Sequence, residues 1–422
     1  MAAMNDDAEH GRPADFERTQ TSIAPCPSCA SADISVFHRV SQVPVNSVLN
    51  IATREEALRF PRGGLALGFC KRCGFIHNVD FDPSLVTYSA NCEESQAFSP
   101  TFSAFARELA EELIDKYDLH NKRIIEIGCG KGDFLNLICS LGDNYGIGFD
   151  PAYVPGRGRY EADARLTFIT DYYSESYSQY HGDMVLCRMT LEHIRETAEL
   201  VSLVRRSIGD RDDTIVFFQV PNATRILREC AFEDIYYEHC SYFSPGSLAR
   251  LFRRCGFEVL DLQTQYDEQY TSVAGKLLAR LEQAPTALED DLDRLIGYVE
   301  RFRERCPVVL EYWENQLSRI ETRGQKAVVW GSGSKGVTFL NTLANARSIE
   351  FVVDINPHRQ GTYMAGTGQL IVAPSFLQEY QPNVVIVMNS VYRDEIRRDL
   401  GQLGLEPTLL ALGVQGSLEG AG

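Results

Sequence analysis

Apolar positions change rhythm along this chain. Over residues 23–80 they come in short, loop-broken runs between paired cysteines. From about Ser99 a helical rhythm takes over, with Phe102, Phe105, Leu109 and Leu113 three or four positions apart. Apolar runs then alternate with helical stretches as far as about Leu262, with strands expected at 123–127, 144–149, 166–170, 184–187 and 215–220. Alternation of this kind predicts a parallel sheet covered by helices. Over residues 285–323 the pattern predicts one long helix, with the stripe Leu288, Leu292, Leu295, Val299 and Phe302. Pro307 is expected to break or kink it. A second alternating unit begins at Lys326 and runs to about Leu412, with strands at 350–354 and 383–387. These shifts divide the chain into a disordered leader (1–20), a small Cys-rich lobe (21–95), an α/β domain (96–284), a helical connector (285–323) and a C-terminal α/β lobe (324–422).

Composition narrows the partners. Of the 422 residues, 44% are hydrophobic and 23% charged, the mixture of a globular chain. No run approaches the length of a membrane span. Residues 1–18 are polar and acidic, unlike a secretory signal, so a cytoplasmic, reducing compartment with free thiols is expected. With 41 Lys and Arg against 58 Asp and Glu, the net charge is −17, which would repel a nucleic acid duplex. A small-molecule substrate is the expected partner, rather than nucleic acid or membrane. The sequence does not fix the oligomeric state, and a monomer is compatible with it.

Two CxxC pairs, Cys26/Cys29 and Cys70/Cys73, stand 40 residues apart. Each such turn presents two thiolates to one ion, and two turns complete a closed tetrahedral zinc site. The alternatives are a redox pair or unrelated buried thiols. A four-cysteine site has no open position, so its expected role is structural.

Residues 123–135 read as strand, glycine turn and helix, with Glu126 two positions before Gly128 and with Gly130 and Gly132 following. Glycines there let a ligand lie against backbone N–H groups at the helix start. Asp150, eighteen residues after Gly132, ends the next strand, where a carboxylate can accept from ribose hydroxyls. A GxGxG turn fits a dinucleotide site less well than GxGxxG does.

The segment Tyr236-Tyr237-Glu238-His239-Cys240-Ser241-Tyr242 follows the fifth strand of that unit. Ligands in such folds sit beyond the C-terminal strand ends, which sets this loop over the cofactor. His239 is expected to take a proton near neutral pH, and tyrosine hydroxyls can stabilise an oxyanion. A packed aromatic loop with a satisfied histidine is the alternative.

The turn Gly331-Ser332-Gly333-Ser334-Lys335-Gly336 is a GxGxxG after an apolar run, with Asp354 eighteen residues beyond. By itself it is a dinucleotide fingerprint.

The first glycine turn with its two acids resembles the cofactor half of class I S-adenosylmethionine (SAM) methyltransferases. That resemblance implies cofactor contacts at Glu126, Gly128, Gly130 and Asp150. It adds Asp171 and Tyr172 beside the adenine, and Arg188 on the fourth strand before Leu191-Glu192-His193. The order of all parts resembles the SAM-dependent sugar C-methyltransferases of deoxysugar biosynthesis. The resemblance implies an α/β architecture: a class I methyltransferase domain flanked by an N-terminal zinc lobe and a C-terminal Rossmann-like lobe. It implies a reaction at C3 of a nucleotide-linked 4-keto-6-deoxysugar, with catalytic roles for His239, Tyr236 and Glu238 and a further tyrosine at Tyr88. It also implies that the C-terminal lobe binds the nucleotide sugar, with Lys335 at the helix start and Asn389, Tyr392 and Glu395 after the fourth strand. Left open are O- or N-methylation of another small molecule, an NAD-dependent oxidoreductase using the Gly331 turn, a vestigial C-terminal lobe, and a non-catalytic zinc scaffold.

Overall fold

The structure, a computed structural model, describes residues 23–157, 164–278 and 284–413; the expected leader lies outside them. Strands run in chain order β1 (Ile34–Pro44), β2 (Arg62–Cys70), β3 (Ile76–Asn78), β4 (Arg123–Ile127), β5 (Tyr145–Phe149), β6 (Leu166–Ile169), β7 (Met184–Arg188) and β8 (Ile215–Pro221). They continue as β9 (Ser241–Tyr242), β10 (Phe257–Gln265), β11 (Tyr270–Leu277), β12 (Ala327–Trp330), β13 (Phe351–Val353), β14 (Leu370–Val372), β15 (Val384–Val387) and β16 (Thr408–Ala411).

The central sheet has the order β10-β11-β8-β7-β4-β5-β6. The five strands from β8 to the edge strand β6 are parallel, and a β10–β11 hairpin closes the other edge antiparallel. Counted within the sheet, the order is 3-2-1-4-5-7-6. The strand positions follow the expected ones within a residue or two. Strands β4 and β7 are almost wholly buried apolar runs, as parallel strands covered on both faces must be. The helix Pro100–Tyr117 forms where the apolar spacing predicts it. Its N-cap is Ser99, whose hydroxyl accepts from Phe102 N, and Pro100 fits its first turn. The C-terminal sheet, β14-β13-β12-β15-β16, is entirely parallel.

The small N-terminal sheet contains an element that the sequence did not announce. Its order is β1-β2-β3-β9, and β9 comes from the loop just after His239. Ile76 pairs with Tyr242 and His77 with Ser241, and Asn78 N donates to Cys240 O at 2.9 Å. The catalytic-loop candidate is therefore the edge strand of the Cys-rich lobe.

The long helix spans Leu292–Thr322, starting later than expected. Residues before it are held by side-chain bonds instead: Arg253 binds Glu289, and Arg250 and Gly246 N bind Asp291. Leu288 is accordingly off the stripe and 38% exposed. Pro307 does not break the helix. It and Arg303, whose carbonyl it leaves unbonded, both lie on the exposed face, where water can satisfy that carbonyl. Packing on the buried face continues through Phe302, Cys306, Val309 and Trp313. Phe302 meets Phe37 of β1 edge-on, and Trp313 meets Phe339 of the C-terminal lobe, so the helix packs against both flanking lobes.

Among the described residues no helix is long and apolar enough to cross a membrane. All twelve cysteines are free thiols.

Candidate active site

At the switch point between β4 and β7 the connections lead to opposite sides of the sheet, and the chain after β4 turns through Gly128, Gly130 and Gly132, all at positive φ. A Cβ on Gly128 would lie 1.9 Å from Thr190 Oγ1, so only glycine fits this crossing. Gly130 N donates to Asp150 Oδ2 and Ala152 N to Asp150 Oδ1, which locks the β5 carboxylate against the turn. Glu126 is 2% exposed, and its Oε2 has no hydrogen-bond partner. Burial pushes its carboxyl up to about 7, against the pull of Arg188. Arg188 itself lies over the Phe134 ring and donates to Gln219. Asp171 and Tyr172 sit at the exposed rim, with Asp171 accepting from Tyr177 OH at 2.6 Å.

These residues line one end of a cavity of about 890 Å³. The wall above it carries the expected catalytic residues. Tyr236 OH lies 3.0 Å from His239 Nε2, and Tyr88 OH lies 2.8 Å from His193 Nδ1. The His193 and His239 rings meet edge-on at 4.7 Å, and Glu192 stands 4.0 Å from His239 Nε2. Glu238 Oε1 accepts from both Ser47 N and Ser47 Oγ, while its Oε2 is buried without a partner. Tyr88, 105 residues before His193, thus joins the same group as the loop.

The electrostatics correct one expectation. Burial, with His193 and Lys335 adding to it, holds His239 well below its ordinary value, so near neutral pH it is an uncharged acceptor and does not titrate there. Burial raises Tyr236 and Tyr88 well above 10, so both keep their protons. A phenol that keeps its proton can donate it to the unprotonated nitrogen of a neutral imidazole, as the Tyr236–His239 contact allows. Burial also lifts Glu192 to about 8 and Glu238 to about 7.

The second glycine turn forms the other end of the same cavity. Gly331 is at positive φ, and Gly336 packs where a Cβ would lie 2.3 Å from Gly331 O. Asp354 accepts from Ser332 N and Oγ, repeating the arrangement of Asp150 on the first turn. Lys335 reaches across to Asp234, which also holds Arg225. Tyr392 donates to Gln96 at 3.0 Å, and the Asn389 amide pairs with that of Gln269. Glu395 accepts from Ser99 Oγ and Thr101 N, at the start of helix Pro100–Tyr117. All four expected substrate residues line the cavity, but each has a protein partner across the lobe boundary.

Sequence reading passed over Ser47, which carries no motif. It gave Glu192 and His193 no role beyond their place after β7. Their meeting with His239 depends on strand order, which no local pattern reports.

Outside the cavity, Cys26, Cys29, Cys70 and Cys73 place all four sulfurs within 4.8 Å of one another. The contacts Cys26–Cys73 and Cys29–Cys70 are 3.7 and 3.6 Å. Thiolates bonded at ~2.3 Å to a tetrahedral ion stand about 3.8 Å apart, so the donor set fits such an ion.

The strand order and the glycine turn define a class I SAM-dependent methyltransferase. Comparison with known proteins agrees. Residues 98–262 match a methyltransferase domain, and residues 262–405 match the C-methyltransferase C-terminal domain. The chain is 24% identical over 307 residues to the C-methyltransferase NovU of Streptomyces niveus, covering 69% of this chain and 72% of that one. The two matched domains, side by side over residues 98–405, mark the chain as a SAM-dependent C-methyltransferase enzyme. Solved structures similar to part of it include 1,6-didemethyltoxoflavin-N1-methyltransferase of Burkholderia thailandensis with S-adenosylhomocysteine (14% identity, TM-score 0.32, covering 42% of this chain and 81% of that one). Human N-acetylserotonin methyltransferase in complex with SAM is another (13% identity, TM-score 0.32, covering 42% and 55%).

Proposed function

We propose that this enzyme methylates the carbon beside a ketone, at C3 of a nucleotide-linked 4-keto-6-deoxysugar, through an enolate. One observation carries the reading: the Tyr88–His193–His239–Tyr236–Glu238 group faces a single cavity that also reaches both glycine turns. A carbon nucleophile must be made by removing a proton, and a neutral buried imidazole can accept one. Tyr236 then passes its hydrogen bond from His239 to the enolate oxygen. The imidazolium formed lies beside Glu192. The free Glu238 Oε2 accepts from a sugar hydroxyl and orients the ring. SAM supplies the electrophilic methyl group, and Glu126, Gly128, Gly130 and Asp150 would hold it, with Asp171, Tyr172 and Arg188 around its far end. The unpartnered Glu126 Oε2 fits a ligand with its own donors. The nucleotide end of the substrate lies along the Gly331 turn near Lys335, where helix-start N–H groups can receive phosphate. The four-cysteine cluster holds a structural zinc.

Incubating the enzyme with methyl-labelled SAM and a panel of nucleotide 4-ketosugars tests this, with the label located by mass spectrometry and NMR. Label on a ring carbon beside the ketone is the expected result, and label on oxygen or nitrogen would end the proposal.

The cofactor assignment has its own test. Asp150→Ala removes a charged acceptor from the ribose and from Gly130 N. Bonds of that kind are worth roughly 1.5–3 kcal/mol each, so SAM affinity should fall at least about tenfold. Titration calorimetry reads it, and unchanged affinity would move the cofactor elsewhere.

A further inference from the structure

We propose that Ser47 and Ser334 are positioning residues that orient the Glu238 carboxylate, linking the glycine turn of the C-terminal lobe to the reaction centre. Ser47 is 2% exposed, as is Glu238. Both Ser47 donors, backbone N–H at 2.9 Å and hydroxyl, fall on the same oxygen, Glu238 Oε1. The other oxygen, Oε2, is buried with no partner. Carboxylates without a task are solvated or bonded on both oxygens; this one is tethered by one oxygen, with the other left for a ligand in the cavity.

Ser47 Oγ lies 2.6 Å from Ser334 Oγ, 287 residues away in sequence. A hydroxyl has one proton to give. With that of Ser47 given to the carboxylate, that of Ser334 closes the contact between them. Ser334 opens helix Ser334–Thr342 directly after the glycine turn, where a phosphate of the substrate would lie. A phosphate there competes for the Ser334 hydroxyl, so occupancy of the turn alters the hydrogen bonding that Glu238 feels. Arg359, 4% exposed, sets the spacing: it donates to Ser332 O at 2.8 Å, to Glu93 O at 3.2 Å and to Ser47 O at 3.4 Å. The segments carrying Glu238, Ser47 and Ser334 are joined through the Ser47 hydroxyl, and none of them carries a motif for doing so.

The groups facing Glu238 are Tyr88 and Cys92 from the segment after the N-terminal sheet, His193 after β7, which burial holds at about 4 and so uncharged near pH 7, Tyr236 and Tyr242 from its own loop, and Arg359 from the C-terminal lobe. Burial raises the tyrosines and Cys92, which therefore stay neutral near pH 7, so Arg359 is the one charge among them. The Ser47 donors oppose the rise that burial imposes on Glu238. Without them the carboxyl holds its proton to higher pH.

The relay rests on the reading of the cavity given above, so the test has one arm with substrate and one without. In the first, Ser47→Ala should lower kcat about tenfold or more, leave KM for SAM unchanged and move the acid limb of the pH–rate profile up by about one unit. Ser47→Thr, which keeps the hydroxyl, should restore the profile, and Ser334→Ala should move it the same way by less. A Ser47→Ala enzyme that is slower with an unmoved acid limb has a packing defect only, and the relay is then wrong. In the second arm, infrared spectroscopy of the substrate-free protein follows the protonated-carboxyl band that Glu238→Gln abolishes. Its midpoint should rise in Ser47→Ala, or in Ser334→Ala if the first variant fails to fold; an unmoved midpoint overturns the relay whatever the substrate. If the band moves but wild type methylates no ketosugar of the panel, the substrate assignment falls and the relay stands.

Discussion

Cys70→Ser is expected to abolish the zinc binding proposed for the four-cysteine cluster and to disorder the catalytic loop, some distance from that cluster. In zinc-finger peptides the ion contributes an apparent 10–16 kcal/mol or so to folding, and a missing thiolate forfeits much of it. Cys70 ends β2, and Cys70 N bonds to Phe75 O across the knuckle that leads into β3. Strand β3 in turn holds β9, and β9 begins two residues after His239. Arg250 ties the other side, donating to Cys73 O at 3.0 Å and to Asp291 at 2.7 Å. The metal knuckle and the catalytic loop thus share a sheet, and losing the first should release the second. Zinc content should fall from about one per chain to near zero. Amide exchange should accelerate across residues 240–243 as well as 76–78, while β4 and β7 in the middle of the central sheet stay protected. Full zinc content in the variant, or wild-type protection at 240–243, would show that the loop stands without the knuckle.

The second large effect is at His239. His239→Asn keeps a polar side chain of similar reach, so the fold and SAM binding should survive. Turnover should drop by about 10²–10⁴-fold, the usual range for a lost general base. The companion measurement is exchange of the substrate C3 proton in deuterated water, which reports deprotonation alone. Wild type should exchange it and the variant should not. If His239 only packs the loop, the variant should lose stability while exchange per folded molecule stays normal. An exchange rate equal to wild type would remove His239 from the chemistry, and Tyr236 would be the next residue to test. A wild-type enzyme that never exchanges the proton would argue for a heteroatom acceptor.

Much of this could be read in the sequence because the signals were local. A CxxC knuckle, a strand ending in glycines with acids at fixed offsets, and a 3.6-residue stripe are all confined to short windows. The class I fold followed from them. What escaped were the contacts between distant segments that no motif or resemblance announces. Strand β9 is two residues long, too short to carry a period, and it is a strand only because β3 lies beside it. Glu192 and His193 were visible as residues, but their distance from His239 is set by the pairing of β7 with β8 side by side in the sheet. Ser47 sits in a loop whose composition says nothing. The late start of the long helix had a similar cause: ion pairs of Glu289 and Asp291 with Arg253 and Arg250 outweighed a helical pattern. The helix is not broken at Pro307, because the residue and the carbonyl it leaves unbonded lie on the exposed face, where water can reach.

Glu395 has a practical consequence for engineering. It belongs to the C-terminal lobe, yet it caps the first helix of the methyltransferase domain through Ser99 and Thr101. Anyone grafting a foreign C-terminal lobe onto this chain to change the acceptor would cut at the long helix and, in doing so, uncap a helix nearly 200 residues upstream of the cut. The graft should carry a carboxylate at that position and a partner for Gln269, or the chimera will lose cofactor affinity for reasons unrelated to the acceptor. In a library of such exchanges, the interface residues Gln96, Ser99, Gln269, Asn389, Tyr392 and Glu395 are the ones to inherit together.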